Sequence, residues 1–292
     1  MNPADGAWPA LFLQDERGRG EELSLDMAED SVDDRYHGCT KKMADLVEHT
    51  FLIRELNAST VFSVAWKDED MKGLCEEDIY GLTKNHCIAL RVYTSVKENR
   101  HRSLASGIND VYESFNTAVR QGKKRYRSRE YEWYSLQFYL TDALQILNRE
   151  NECKATYRGT KLRLDKNVLN KKIRLGSFVS SSIKKYKAKM FGTNSCFTIH
   201  TCHGASMVKL SLYDDMDEVL IPPYEEFKVT AIVNSSWCDT VYVLNSTGTR
   251  SDLNCVHVLT DRWYIILIGC LMPVVVFVLV GVFCYRRSIR EG

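Results

Sequence analysis

The sequence lacks the short motifs by which most nucleotide, metal and nucleophile sites declare themselves. No Gly-x-Gly-x-x-Gly run leads from a strand into a helix: Gly159, Gly176, Gly192 and Gly204 stand alone, and no Walker A sequence is present. A bound dinucleotide would have to be held in some other way. No two cysteines form a CxxC pair, which argues against a zinc ribbon and a thioredoxin-like redox site. The seven histidines are scattered without an HExxH pair, so His37, His86, His200 and His203 read as structural or surface groups and no metal is expected. Charge of one sign is not in excess either. Thirty-nine Lys and Arg against 38 Asp and Glu leave +1, which implies no bulk steering toward nucleic acid. The basic run from Lys123 to Arg129 is answered at once by Glu130 and Glu132 and reads as a solvated helix face.

What is present is a hydrophobic content of 45% over 292 residues, ample for a core in one large domain or two small ones. Ten cysteines are many for a reducing compartment. Eight of them (Cys39, Cys75, Cys87, Cys153, Cys196, Cys202, Cys238 and Cys255) precede an apolar tail and fit disulfides whose pairing spacing does not reveal. Sequons at Asn57-Ala58-Ser59, Asn234-Ser235-Ser236 and Asn245-Ser246-Thr247 point the same way. From Trp263 to Tyr285 the chain carries no formal charge, and Arg286, Arg287 and Arg290 follow. That pattern predicts a retained single-pass transmembrane helix at 263–285, a short basic cytoplasmic tail at 286–292, and a lipid bilayer as partner. Residues 1–24 have acidic Asp5 and no basic start, so they read as an atypical N-terminal segment rather than a signal peptide.

Hydrophobic spacing changes character along the chain. Lys41–Leu56, Ile108–Val119 and Glu132–Leu147 carry apolar residues on one helical face, and Phe62–Lys67 extends the helical region. Asn85–Tyr93 alternates and reads as a short strand or helix edge. After Cys153 short apolar segments separated by turns predict strands at Ala155–Arg158, Gly176–Ser181, Cys196–Thr201, Ala205–Leu212, Glu218–Ile221, Glu226–Val233 and Thr240–Ser246. The expected fold is α+β, with a helical N-terminal half and a strand-rich mixed β core.

Three places carry candidate chemistry. Arg158, between Tyr157 and Gly159, offers a rigid fork for phosphate oxygens. Phe178 leads into Val179-Ser180-Ser181-Ser182, where alternation sets Ser180 and Ser182 on one face to hold a carboxamide or a carboxylate. No Gly-x-Ser-x-Gly elbow surrounds these serines, so they are not read as nucleophiles. Glu218 stands ahead of Val219-Leu220-Ile221, which Pro222-Pro223 ends. A fixed carboxylate there would stabilise positive charge developing on a sugar whose glycosidic bond is breaking.

Taken in this order and spacing, Tyr157-Arg158-Gly159, Phe178 through Ser182 and Glu218-Val-Leu-Ile-Pro-Pro resemble the vertebrate cell-surface arginine-specific mono-ADP-ribosyltransferases, a family with an Arg, Ser, Glu signature. Leu25-Asp26-Met27-Ala28, Tyr36 through Cys39, Ala89 through Thr94, Phe115-Asn116, Tyr139-Leu140-Thr141 and Phe227 match as well, so the resemblance covers Leu25 to Cys255. It implies an ADP-ribosyltransferase domain at 25–257 that transfers ADP-ribose from NAD+ to arginine side chains of extracellular or membrane proteins. Glu218, Ser180 and Arg158 would be catalytic, with Tyr157, Gly159, Phe178 and Ser182 completing the NAD+ contacts. No prosthetic group, metal or nucleic acid is implied, and a monomer with its catalytic domain outside the cell membrane is expected. The resemblance pairs Cys39 with Cys255 and Cys153 with Cys202, leaving Cys75, Cys87, Cys196 and Cys238 as additions. One position departs from the pattern. The family's Glu-x-Glu has Met216 as its first member here, and a thioether cannot form the charged pair that positions an acceptor guanidinium. Water is therefore an alternative acceptor, which would make the enzyme an NAD+ glycohydrolase.

Overall fold

The computed structural model describes residues 24–75, 80–94, 109–150, 152–207, 210 and 217–258. The chain divides into a body ending at Asn254 and a second unit starting at Cys255. Of that second unit only 255–258 are described, and they open a helical turn.

The first half of the body is helical. α1 (Thr40–Leu46) runs through a π turn (Val47–Phe51) into α2 (Leu52–Ala58), followed by α3 (Thr60–Met71), α4 (Lys84–Thr94), α5 (Asn109–Gln121), α6 (Lys123–Arg127) and α7 (Tyr134–Leu147). Helix α7 forms because apolar and aromatic residues crowd its sequence, and nearly every residue from Tyr134 to Leu144 is buried. Its N-terminus is capped from a distance. The Glu55 carboxylate accepts hydrogen bonds from the backbone N–H groups of Tyr134 (2.9 Å) and Ser135 (3.0 Å), satisfying two donors that the helix itself leaves open.

Burial pushes the Glu55 carboxyl up to about 7, against the pull of those hydrogen bonds and of Arg54. An unfolded glutamate titrates near ~4.3, so the folded state holds a proton that the unfolded chain gives up between these values. The stability tied to Glu55 is therefore full below the unfolded value and is lost as pH rises through about 7. Urea melts of the wild type against Glu55→Gln should show the difference between them falling by up to about 3 kcal/mol from pH 4 to pH 8. A flat difference would contradict this.

Helix α4 corrects the strand-or-edge expectation for Asn85–Tyr93. Every residue from His86 to Thr94 is buried, so apolar residues surround the helix and the one-sided period disappears. Even Arg91 is buried, its Nε 2.9 Å from Glu69.

The second half forms one eight-stranded sheet in the order β2-β7-β8-β4-β1-β3-β6-β5. The strands are β1 (Lys154–Thr160), β2 (Lys172–Arg174), β3 (Val179–Ser182), β4 (Ser195–Thr201), β5 (Ala205–Ser206), β6 (Glu218–Ile221), β7 (Glu225–Ser235) and β8 (Cys238–Thr249). Only the β4–β8 pair is parallel. Alternation along the strands builds two cores. Phe197, Ile199, Tyr242, Leu244, Val219 and Ile221 share the large one. Cys196, Val241, Trp237, Cys238 and Ala188 form a smaller one, against which Tyr157 packs.

Two further features fix the sheet. Arg174 of β2 is wholly buried with Asp33 at 2.6 Å, and also donates to the carbonyls of Met27 (2.7 Å) and Ala28 (2.9 Å). This pins the irregular segment 24–38 to the sheet. Gly176 is required where that segment passes, because its φ is +72° and a Cβ there would lie 2.8 Å from the Ala28 Cβ. Disulfides join Cys75 to Cys87, Cys153 to Cys202 and Cys196 to Cys238. The second is the pair the resemblance implied, and the other two join the four additional cysteines to one another. Cys39 and Cys255 are disulfide-bonded as well.

The membrane expectations are corrected. Among the described residues no helix is long and apolar enough to cross a membrane. The strongly apolar α7, for example, has 14 residues and measures about 21 Å, against a hydrocarbon core of ~30 Å. The expected span at Trp263–Tyr285 lies outside the described residues. The transmembrane helix, the bilayer partner and the single-pass location therefore have no support in the structure and are not carried further.

Candidate active site

Sheet register brings the sequence-selected residues together. In the antiparallel β1–β3 pair Tyr157 stands opposite Ser182, and in the β3–β6 pair Ser182 stands opposite Glu218. Tyr157, Ser182 and Glu218 thus form one row across three neighbouring strands, although 61 positions separate the outer two in the chain. Arg158, Ser180, Ser182 and Glu218 are all buried.

Arg158 is held on several sides. Its Nη1 donates to the carbonyl oxygen of Ser180, and its guanidinium carbon lies 5.9 Å from the centre of the Phe191 ring. Burial pushes the Arg158 guanidinium down from its ordinary value, while Tyr112, Tyr93 and Glu218 push it back up. Gly159 explains itself by a close approach rather than by chemistry. A Cβ there would lie 2.2 Å from the Gly192 carbonyl oxygen and 2.6 Å from that of Ala188. Only a bare backbone lets β1 end against the turn Lys189–Phe191 that carries the ring beneath Arg158.

The serines divide their tasks. Ser181 Oγ donates to the Val219 carbonyl at 2.9 Å and ties β3 to β6. Ser182 Oγ accepts from the backbone N–H of Lys184 at 3.0 Å. Ser180 supplies the carbonyl that Arg158 grips. Tyr157 is half-buried, edge-on to Trp237 at 6.2 Å and beneath the Lys185 ammonium at 5.0 Å.

Phe178 is a core residue here. It stacks on Phe115 at 5.7 Å and meets Tyr93 edge-on at 6.1 Å, while the Tyr93 hydroxyl donates to the Phe178 carbonyl at 2.8 Å. Through Phe178 the helical layer sets the position of the serine strand. Ahead of Glu218, Asp217 adopts φ +46°. Its carbonyl accepts from the Ile183 N–H at 3.2 Å, and its carboxylate lies 3.7 Å from the buried Lys187 ammonium. Met216 lies outside the described residues. Among the described residues no group of His, Cys, Asp and Glu is placed to hold a metal ion.

Sequence reasoning missed three residues around Arg158. Tyr93 receives a hydrogen bond from Asn116 Nδ2 at 3.2 Å. Tyr112 is buried and tilts against Tyr93 at 5.0 Å. Arg120 is pushed down from its ordinary value by burial, with Arg158 adding to the push, so two guanidinium groups feel one another here. A signal was present. In α5 the apolar row Val111, Phe115, Val119 runs beside a second row, Tyr112, Asn116, Arg120, at the same spacing of four. That polar row turns toward the sheet rather than toward solvent.

Comparison with known proteins completes the assignment. The family model for NAD:arginine ADP-ribosyltransferase matches residues 25–252. Ecto-ADP-ribosyltransferase 4 of Mus musculus is 31% identical over 243 residues, covering 80% of this chain and 76% of that protein. GPI-linked NAD(P)(+)--arginine ADP-ribosyltransferase 1 of Mus musculus is 31% identical over 258 residues, covering 82% and 74%. The crystal structure of the eucaryotic mono-ADP-ribosyltransferase ART2.2 superposes with a TM-score of 0.65 at 29% identity, covering 80% of this chain and 98% of that one. With a buried Arg, Ser and Glu set on adjoining strands and a match that runs through most of its length, this chain belongs to the NAD:arginine ADP-ribosyltransferase family.

Proposed function

We propose that Arg158, Ser180 and Glu218 carry the reaction of this enzyme, the transfer of ADP-ribose from NAD+ to an arginine side chain with release of nicotinamide. The observation that carries the assignment is the convergence of three strands: Glu218 opposite Ser182, and Arg158 bound to the backbone of Ser180.

NAD+ brings two charges to such a site. Its pyrophosphate is anionic and suits a guanidinium fork. Arg158 disfavours the ionised form of Arg120, and burial disfavours that of Arg158, so a bound anion would favour both guanidinium groups. Breaking the bond between nicotinamide and ribose leaves positive charge on the sugar. Glu218, fixed in the sheet and removed from water, stabilises that charge more in the transition state than in the bound substrate. The acceptor nitrogen then forms the new bond to the anomeric carbon, nicotinamide leaves as the neutral base, and the proton from the acceptor nitrogen passes to water. Tyr157, Ser182 and the strand carrying Ser180 shape the pocket for the nicotinamide end. Gly159 and Phe178 act through backbone approach and core packing.

A second reading concerns the acceptor. Met216 removes one carboxylate from the acceptor side, and the neighbouring Asp217 carboxylate lies by Lys187. Water then competes with arginine for the same intermediate. With labelled NAD+ and an arginine analogue, both ADP-ribosyl-acceptor and free ADP-ribose should form. Met216→Glu should shift the ratio toward the acceptor by about tenfold, the worth of one charge-assisted hydrogen bond. An unchanged ratio would refute this account of acceptor choice, and nicotinamide release would still report the cleavage step.

A further inference from the structure

Directly beyond the serine strand the chain turns outward. Ile183, Lys184, Lys185 and Tyr186 are exposed, Lys187 and Ala188 turn in, and Lys189 and Met190 are exposed again. The large apolar members stand open to solvent, Tyr186 at 65%, Met190 at 45% and Ile183 at 44%. Three such residues within eight positions are more than the singly scattered hydrophobics of an ordinary surface, and lysines border them.

The strip has one sign of charge. Lys184, Lys185 and Lys189 form no salt bridge among the described residues, and the neighbouring Asp217 is engaged from within by Lys187. Lys185 also lies over the half-buried Tyr157 ring and the buried Trp237 ring, at 5.0 and 5.8 Å, which seats its ammonium against the smaller core. The strip is firmly rooted. Lys184 N–H donates to Ser182 Oγ, Ile183 N–H donates to the Asp217 carbonyl, and the Cys196–Cys238 disulfide braces the strands beneath Trp237. Its first residue follows Ser182, which faces Glu218 across the sheet.

We propose that Ile183–Met190 is the docking surface for the acceptor, and that it selects an arginine carried on an acidic protein segment. The inference rests on the transferase reading above. Its argument is charge complementarity: a lysine-lined apolar strip joined to the strand that flanks Glu218 attracts acidic residues beside the target arginine. Such recognition supplies on the strip what Met216 does not supply in the site.

The test uses three acceptors: a peptide with one arginine flanked by aspartate and glutamate, the same peptide with glutamine flanks, and agmatine. The wild type should have a KM about tenfold lower for the acidic than for the glutamine-flanked peptide, and raised salt should erase the gap. Lys184→Glu with Lys189→Glu should raise the acidic-peptide KM about tenfold, and Tyr186→Ala should raise it for both peptides. The KM for NAD+, the KM for agmatine and nicotinamide release without acceptor should not move. Fluorescence anisotropy of the labelled acidic peptide gives the same comparison without turnover. Equal affinity for the two peptides would overturn the proposal. So would a parallel loss with agmatine or NAD+, which would assign the strip to the dinucleotide, or binding to phosphatidylserine vesicles that the acidic peptide does not displace. Absence of nicotinamide release alone would instead refute the transferase reading, leaving the anisotropy comparison to decide this one.

Discussion

Replacing Glu218 by Gln should lower nicotinamide release from NAD+ about a thousandfold, the size of effect seen when one preorganised charge-stabilising group is removed from an active site. The substitution keeps the shape of the side chain and one acceptor oxygen. Glu218 is buried at the start of β6, and the ladder to Ser182, Ser181 and Ser180 is made by backbone groups that the change does not touch. The fold is therefore retained, and NAD+ binding falls far less than turnover. On the proposed mechanism the change removes the negative charge that faces the ribose as nicotinamide departs, a charge whose contribution is mainly to the transition state. Initial rates and equilibrium NAD+ binding, measured on the same preparations, separate the two effects. Equal turnover in both proteins would remove Glu218 from the mechanism.

The second large effect is expected at Arg158. Arg158→Lys should lower kcat/KM for NAD+ about a hundredfold, mostly through KM. A lysine keeps the charge but not the planar fork. Its donors radiate from a single nitrogen, so it cannot present a planar pair to a pyrophosphate while bonded to the Ser180 carbonyl, and it loses the flat contact with the Phe191 ring. Inhibition by ADP-ribose should weaken in parallel, because that product keeps the pyrophosphate and lacks the nicotinamide. A variant that binds ADP-ribose like the wild type would place the phosphates elsewhere. Thermal melts accompany the kinetics, since a buried ammonium here has fewer partners than the guanidinium it replaces.

How much of this was legible in the sequence depended on what each segment packs against. Helix α5 could be read because an apolar stripe meets the core, and α7 because its apolar run is too long for a strand. Helix α4 could not, because it is buried on every side and its apolar residues mimic the alternation of a strand. β2 was missed because three residues, Lys172-Ile173-Arg174, carry little pattern, and of them only Ile173 enters the large core. The strands of the second half were visible as separate apolar segments, but their order was not. That order places Glu218 beside Ser182 and Ser182 beside Tyr157, and it arises from pairings between distant positions that no local window contains. The helical contribution around Arg158 was hidden for a related reason. Tyr112, Asn116 and Arg120 look like the polar face of a surface helix until the sheet is seen to cover them. Phe178 and Gly159 were selected with the right neighbourhood and a different task, one packing beneath the serines and the other allowing two backbones to touch.

Direct sight of NAD+ in the Glu218→Gln protein tests the account at its centre. A crystal structure of that complex should place the pyrophosphate against Arg158 and the nicotinamide ribose against residue 218, with its anomeric carbon facing the substituted side chain. Phosphates bound away from Arg158, or a ribose turned away from residue 218, would contradict it.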